Sequence, residues 1–413
     1  MPSSADRKTK TSVSLNDALD VLLWFGASML RAGNTAIRTR EWIEVMARKM
    51  TLDAVSVGLS FDTITASVRR SGERATGMRD IGPPVINAER IAELEHLAGN
   101  AGPAAQIGSR IEEIESRPQL YPKVLIVAAV GLASGGFAFL NGAAAAEMFA
   151  AAIGGGIGQW LRSWLSGRNL NHYGSAALAA MVASGTYVGT ALILRRAGFE
   201  FVHYPAGFIA SVLFLVPGFP LLAALFDLLR YQTVAAVSRL AYGAMILLAV
   251  ALGLSIVIAV AGVDITRQPP LELAYPLKLL LRAIASFVAT CAFAMLFNTS
   301  PRTLLAVGFV AVIANGLRLA LIDMGMPLAP AAFFAALVIG LVALAVDRRF
   351  KVPRLAMTVA PIVIMIPGIY AFEAIVLFNR GPILEALQVS AACGFIVGAL
   401  AMGLAAARFF SRK

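Results

Sequence analysis

Ten long apolar runs follow one another between residues 123 and 410, and they restrict what this chain can fold into. Each run is about 20 residues long, the length that a helix needs to cross the hydrocarbon core of a bilayer. The sequence therefore predicts a polytopic membrane protein that is mainly α-helical. The runs cover residues 123–141, 145–163, 175–195, 205–228, 237–261, 275–297, 303–322, 328–346, 355–378 and 386–410.

The first 120 residues differ from the rest because they hold most of the charge and contain no such run. The chain as a whole is 58% hydrophobic and 14% charged, which is more apolar than a soluble domain. Its start, "MPSSADRKTKTSVSLNDALD", lacks the apolar stretch of a cleavable signal peptide. We therefore expect a cytosolic domain at 1–120 whose first residues are disordered.

The pattern within this domain indicates a small α+β fold. Apolar residues fall on one stripe over about 14–50, which predicts a single helix. Residues 53–70 alternate apolar and polar side chains, as strands do, and glycines punctuate the residues that follow. Two short helices are predicted over about 88–98 and 104–115.

The basic residues predict how the chain is oriented in the membrane. The net charge is +11, and it gathers in the domain and in alternate membrane loops, so no nucleic-acid partner is expected. Twelve Lys and Arg residues fall in the loops and tail on one side, against six on the other. Because cytoplasmic loops carry this excess, we expect both termini in the cytoplasm and the chain in the inner membrane.

No residue pattern points to a metal, a cofactor or a disulfide. Cys291 and Cys393 both lie in apolar runs, and the three histidines have no metal-ligand spacing. No Walker motif is present, so ATP is not expected to drive the protein through this chain.

Two of the apolar runs contain a Pro-Gly pair. "FLVPGFPLLAALFDLLR" begins at Phe214 and "IMIPGIYAFEAIVLFNR" begins at Ile364. Proline removes a backbone donor and glycine leaves helical geometry easily, so each pair should interrupt its helix. Such breaks persist in lipid only where they are buried in protein or line a hydrated cavity. Each pair is thus predicted to present half-helix ends to a substrate, and a plain packing kink is the alternative.

The two pairs occupy equivalent places in two halves of the membrane part. The ten runs divide into two groups of five, and the Pro-Gly pair falls in the fourth run of each group. Leu161–Arg162 and Leu317–Arg318 likewise end the second run of each group. An odd number of crossings would invert the second copy, a common transporter design with the substrate site at the repeat interface. We predict inverted repeats at 121–263 and 272–413.

Two carboxylates follow the breaks and are candidates for a functional acid inside the membrane. Glu373 lies about 9 Å beyond Pro367 along a helix, and Asp227 lies about 15 Å beyond Pro217. Ionisable groups deep in a membrane are functional by default, although Asp227 could instead pair with Arg230 or Arg239. Neutral polar residues of the runs, Gln159 and Asn315 among them, could hydrogen-bond a zwitterionic or hydroxylated substrate, but most are expected to bond neighbouring helices. The candidate pathway residues are Pro217, Gly218, Pro220, Asp227, Arg239, Asn298, Pro367, Gly368, Tyr370 and Glu373.

Several stretches of this chain resemble the threonine/serine exporter family. "FGASMLRAGNTAIRTREWIEVMARKM" is similar to the family's opening helix. "FNTSPRTLLAVGFVAVIANGLR" and "IMIPGIY" resemble the partner half, which in many bacteria is a separate protein and here is fused. "FLVPGFPLLAALFDLLRYQTVAAVSRL" is similar to the fourth-span signature, with Pro217, Gly218, Pro220, Asp227 and Arg239 at matching places.

The resemblance implies efflux of threonine and serine across the cytoplasmic membrane, driven by the proton gradient as an antiport. Related split pairs are linked to succinate export, which leaves a dicarboxylate exporter as an alternative. The chain departs from the family pattern at Glu373, where an arginine soon after a tyrosine is expected.

The sequence favours a transporter over an enzyme. A membrane-tethered hydrolase is a third reading, but residues 1–120 contain one histidine and no cysteine. "GLSFD" at 58–62 lacks the closing glycine of a nucleophile elbow. The expected partners are a small amino acid and the lipid bilayer, and a homo-oligomer is left open.

Overall fold

The chain forms two compact units in the computed structural model. The first unit contains the described residues up to Pro118 together with Asp227–Ser238, and the second contains the rest. The polar start at 1–13 and the basic residues Arg267, Lys351, Arg412 and Lys413 lie outside the described residues. The structure describes residues 14–60, 62–82, 84–100, 104–168, 170–199, 204–262, 273–350 and 354–410.

The first unit begins with two helices where the sequence predicted one. Helix α1 spans Leu15–Arg31 and α2 spans Ala36–Lys49. The chain turns between them because Gly33 adopts a positive φ of 97°, and Thr35 caps α2 by accepting a hydrogen bond from Arg38 N at 3.3 Å. The prediction of one helix over 14–50 was wrong because the apolar stripe continues across this glycine turn.

A three-stranded antiparallel meander packs against α1, and its first two strands lie in the region where the alternating pattern predicted strands. Strand β2 lies between β1 and β3, and it buries Ile64, Ala66 and Val68. Two short helices follow the sheet and confirm the predicted α+β content of this part of the chain. The strands are Ala54–Leu59, Thr63–Arg70 and Glu73–Asp80, and helices α3 and α4 span Ala88–Gly99 and Ala104–Ser116.

The second unit is helical throughout its described residues. Its apolar core is rich in alanine, and small side chains let the helices approach closely. The segment Asp227–Ser238, at the end of α9 and the start of α10, groups with the first unit. The helices of the membrane part are α5 Lys123–Leu140, α6 Ala145–Leu165, α7 His172–Arg196, α8 Tyr204–Ala210, α9 Gly218–Leu228, α10 Thr233–Ala261, α11 Tyr275–Leu296, α12 Pro301–Asp323, α13 Leu328–Phe350, α14 Arg354–Val363, α15 Gly368–Arg380 and α16 Ile383–Phe409.

Fewer helices qualify as membrane spans by length and composition than the ten predicted. Within the described residues, seven helices are long and apolar enough, and counting each bent pair as one span brings the number to nine. Helix α6 has 21 residues but is not among them, because Glu147, Arg162 and four glycines lower its hydropathy. A membrane protein with seven to nine candidate spans is therefore established, and the tenth span stays a prediction.

The turns that end the first helix of each half have the same hydrogen bonds. After α5, Ala143 N donates to Ala138 O at 2.9 Å, and Gly142 has a φ of 92°. After α11, Thr299 N donates to Ala294 O at 2.9 Å, and Asn298 has a φ of 54°. The left-handed residue thus falls at the corresponding position of both turns.

Candidate functional site

The first Pro-Gly pair interrupts the fourth apolar run as predicted. Helix α8 passes into the 3₁₀ turn Leu213–Leu215, and α9 begins at Gly218, with a bend of 64° between the two helical parts. Val216 N donates to Leu213 O at 3.1 Å, Gly218 N to Val216 O at 2.8 Å, and Leu221 N to Pro217 O at 3.1 Å. A tight turn therefore replaces the helical bonds that Pro217 cannot make.

The second Pro-Gly pair repeats this turn. Helix α14 ends at Val363, α15 begins at Gly368, and the bend is 44°. Ile366 N donates to Val363 O at 3.2 Å, Gly368 N to Ile366 O at 2.8 Å, and Ala371 N to Pro367 O at 3.1 Å. All three bonds match those of the first break, donor for donor and acceptor for acceptor.

The two breaks pack against each other inside the second unit. A Cβ atom added to Gly218 would lie 3.7 Å from Ile366 Cγ1 and 3.8 Å from its Cγ2. A Cβ atom added to Gly368 would lie 3.4 Å from Val216 Cγ2 and still closer to Leu213. The contact is reciprocal, because each glycine meets the residue that precedes the other proline.

Polar groups from neighbouring helices reach the backbone carbonyls at both breaks. Arg162 of α6 approaches Phe214 O through its Nη1 atom at 3.5 Å. The thiol of Cys393 in α16 donates to Pro367 O at 3.8 Å. Carbonyls near a helix break in an apolar environment need such partners.

Three more of the predicted pathway residues lie on the half-helices after the breaks. Pro220 is in the first turn of α9, where its missing N–H costs nothing, and Tyr370 and Glu373 are in α15. All three are partly buried. Tyr370 also interacts electrostatically with Arg318 of α12.

Asp227 lies at the end of α9, where its carboxylate meets the start of α2. Its Oδ1 atom accepts hydrogen bonds from Ala36 N at 3.0 Å and from Ile37 N at 3.4 Å. The side chain is fully buried. A carboxylate at a helix N-terminus meets unpaired N–H groups and the positive end of the dipole. This position therefore gives Asp227 the role of an anchor for α2.

The two remaining predicted residues lie apart from the Pro-Gly pairs in the chain. Asn298 accepts a hydrogen bond from Leu120 N at 2.8 Å, and Tyr121 Oη donates to Thr299 O at 2.8 Å. These bonds hold the entry to α5 against the turn after α11. Arg239 lies in α10 and is 5% exposed.

Comparison with protein families decides which family carries this arrangement. A family described as "Putative threonine/serine exporter" matches residues 20–261, and one described as "Threonine/Serine exporter, ThrE" matches residues 282–410. The chain belongs to the threonine/serine exporter family. The two matched ranges include one Pro-Gly break each, so the exporter family accounts for both halves of the membrane part.

Individual relatives of this exporter-family chain carry different names. A Mycobacterium tuberculosis protein named "Probable threonine/serine exporter" is 24% identical over 405 residues, or 91% of this chain and 73% of that protein. A Klebsiella aerogenes protein named as a probable succinate transporter subunit is 26% identical over 238 residues, or 57% of this chain and 90% of its own. An uncharacterized Haemophilus influenzae protein is 30% identical over 139 residues and is covered over 47% of its length. No solved structure matches.

The structure also draws attention to four exporter residues that the sequence interpretation did not place in the site. Arg162 and Arg318 had served only as landmarks of the two halves. Gln159 and Asn315 were among the polar residues for which both a substrate contact and a bond between helices were open. The signal was present in the sequence, because "QWLR" at 159–162 and "NGLR" at 315–318 place an amide three residues before the arginine. In both halves this pair lies one helical turn apart on the second helix.

Proposed function

We propose that this exporter-family protein is a secondary active exporter that moves threonine and serine out of the cytoplasm in exchange for protons. The observation that carries this proposal is the reciprocal packing of the two Pro-Gly breaks, Gly218 against Ile366 and Gly368 against Val216. Interrupted helices that meet at a repeat interface are the usual site of substrate binding in transporters.

The half-helix ends supply the chemistry that an amino acid requires. The N-termini of α9 and α15 both begin at the breaks, and a helix N-terminus favours a carboxylate. Carbonyls of the interrupted backbone favour an ammonium group. The pathway that we propose is lined by Pro217, Gly218, Pro220, Pro367, Gly368, Tyr370 and Glu373.

Glu373 is the carboxylate to which we assign proton coupling. It follows the second break on α15 and is partly buried. Asp227 accepts two backbone N–H groups of α2 instead, so we assign it to the anchor of that helix. We retain the proposal that the two halves are inverted repeats in the inner membrane, with both termini in the cytoplasm.

Glu373→Gln is the variant that tests proton coupling. Inverted membrane vesicles with an acidic interior should accumulate labelled threonine through the wild-type protein. The variant should lose this gradient-driven accumulation, because it cannot release a proton, and should keep threonine exchange without a gradient. Glu385→Gln is the matched control, since Glu385 is exposed at the start of α16. Undiminished accumulation by Glu373→Gln would exclude Glu373 from coupling.

A dicarboxylate is the second candidate substrate, because relatives named as succinate transporter subunits match 57% of this chain. Unlabelled succinate should leave threonine accumulation unchanged in the same vesicles if the first proposal holds. Inhibition by succinate as strong as that by unlabelled serine would favour the second candidate.

We do not propose hydrolysis by the first unit. Ser60 of "GLSFD" donates to Asp62 Oδ1 at 2.6 Å and accepts from Thr63 N at 2.9 Å, so it closes its own hairpin. A pocket of about 300 Å³ on α2 is lined by Arg38, Glu41, Trp42, Glu44, Val45 and Arg48, none of which is a Ser, Thr or Cys nucleophile. Burial lowers the pKa of Arg38, but Glu95 and Glu41 outweigh it and raise that pKa above its ordinary value. The guanidinium stays charged and cannot act as a base.

A further inference from the structure

The second helix of each half carries an arginine near its break. Arg162 of α6 reaches Phe214 O, three residues before Pro217. Arg318 of α12 interacts electrostatically with Tyr370, three residues after Pro367. Both side chains are partly buried. The two arginines thus occupy equivalent places in the two halves, and Arg162 contacts the backbone at the first break.

Neither guanidinium forms an ion pair with a carboxylate of the described residues. Glu147 of α6 accepts a hydrogen bond from Ala144 N at 2.9 Å and so caps its own helix. Asp323 is bound by Lys278 at 3.4 Å and by Arg282. A cation withdrawn from water in a membrane protein is costly unless an anion compensates it. An anionic ligand would supply that compensation.

The two halves differ in how the amide beside each arginine is used. In the second half, Asn315 Oδ1 accepts from Arg318 Nε at 2.9 Å, and Asn315 Nδ2 donates to Ser286 Oγ at 2.8 Å. In the first half, Gln159 Nε2 donates to Ser163 Oγ at 3.1 Å, but the buried Gln159 Oε1 has no hydrogen-bond partner among the described residues. Gln159 is only 5% exposed. In the second half the amide and the arginine bond each other, whereas in the first half the amide oxygen has no partner among the described residues.

We infer that Gln159 and Arg162 form a binding subsite for a small molecule that carries a carboxylate next to a hydrogen-bond donor. The guanidinium fork binds a carboxylate through two parallel hydrogen bonds. Gln159 Oε1 accepts a hydrogen bond from the donor group, which removes the cost of a buried acceptor without a partner. The Tyr242 phenol interacts with Arg162 and stacks on His172 with ring centroids 6.0 Å apart, so aromatic rings lie beside the subsite.

This inference rests on the proposed function and specifies its substrate. Threonine and serine carry a carboxylate beside an ammonium group and a hydroxyl, so one molecule satisfies both residues. Ionised succinate offers two carboxylates and no donor for Gln159 Oε1. The subsite therefore favours a small amino acid over a dicarboxylate.

Equilibrium binding to the purified full-length protein in detergent tests the subsite with three probes. L-threonine has both groups, L-threoninamide lacks the carboxylate, and succinate lacks the donor. Titration calorimetry should show threonine binding at least about tenfold more tightly than either of the others, because a hydrogen bond to a charged group contributes about that factor. Equal binding of threoninamide and threonine would overturn the role of Arg162.

Two variants separate the contributions of the two residues. Arg162→Gln should reduce threonine affinity to the level of threoninamide, and Arg162→Lys, which keeps the charge but not the fork, should lie between them. Gln159→Leu should weaken threonine binding about tenfold and leave succinate binding unchanged. Arg302→Gln is the control, because Arg302 is exposed at the start of α12. Thermal melting and size-exclusion elution identify any variant that fails to fold.

Failure of the subsite and failure of the proposed function give different results. The subsite alone would be overturned if the wild-type protein exports threonine but the folded Arg162→Gln and Arg162→Lys variants bind threonine with unchanged affinity. If succinate binds in a way that depends on Arg162 and threonine does not bind, both the role of Gln159 and the amino-acid substrate would be overturned. Wild-type protein that neither binds nor exports threonine or succinate would overturn the proposed function and the subsite with it.

Discussion

At the scale of single residues, Asp227 shows how a carboxylate at the end of an apolar run can be bound by backbone donors. Its partners Ala36 and Ile37 are separated from it by 191 and 190 residues of sequence. Nothing local in the sequence could predict this pairing, because its two sides are so far apart along the chain. Glu373, by contrast, lies on the helix that begins after Pro367, as the local pattern predicted.

Asp227→Ala is expected to loosen the first turn of α2. The loss of a capping acceptor costs about 0.5–2 kcal/mol, so the amides of Ala36 and Ile37 should exchange hydrogen faster. Hydrogen exchange followed by mass spectrometry on peptides that cover residues 36–40 measures this. Asp227→Asn keeps an acceptor oxygen and should retain most of the protection together with proton-driven transport. Loss of proton-driven transport in Asp227→Asn, with protection unchanged, would show that Asp227 titrates in the cycle.

At the scale of elements, the last helix of each half carries a glycine that contacts the third helix of the same half. A Cβ atom added to Gly253 of α10 would lie 3.0 Å from Met181 N, and one added to Gly403 of α16 would lie 3.0 Å from Leu337 N. In both cases a backbone carbonyl of the facing helix is nearer still. The sequence predicted the helices but did not identify these contacts. Small residues four apart are typical of close helix packing, yet Gly394 and Gly398 have this spacing and nothing lies within 4 Å of either.

Gly403→Ala is expected to destabilise the membrane part, because its methyl group would meet rigid backbone rather than a flexible side chain. Overpacking of this kind costs about 1–3 kcal/mol, which should lower the melting temperature of the purified protein. Gly398→Ala lies on the same helix with open space around it, so it should melt like the wild type. Equal melting temperatures for the two variants would show that α13 and α16 do not pack as described.

At the scale of the whole molecule, features set by the local sequence could be predicted, whereas features that depend on contacts between residues far apart in the chain could not. The apolar runs, the two breaks and the short helices follow from composition and period, so the sequence was sufficient for them. Two features depend on contacts between residues far apart in the chain. One is the grouping of Asp227–Ser238 with the first unit, and the other is the contact of Arg162 with Phe214 O beside the unpartnered Gln159 Oε1. The symmetric placement of the two breaks predicts a substrate site at the interface of the two halves, and this site stays a prediction. The reciprocal contact of the breaks is a finding of the structure.

Disulfide cross-linking of Gly218→Cys with Ile366→Cys tests this reciprocal contact most directly. The double variant is made with Cys291 and Cys393 replaced by serine and with a protease site in the link at 263–272. Removing the Ile366 side chain makes room, and its Cγ atoms lie 3.7 and 3.8 Å from the Cβ position of residue 218, within reach of a disulfide. Gly218→Cys with Phe395→Cys is the control, since Phe395 is 72% exposed on α16. The protein is oxidised, cleaved at the protease site and run on a non-reducing gel. If the two breaks pack as described, the two halves migrate together for the test pair and separately for the control pair. Halves that separate for both pairs would contradict it.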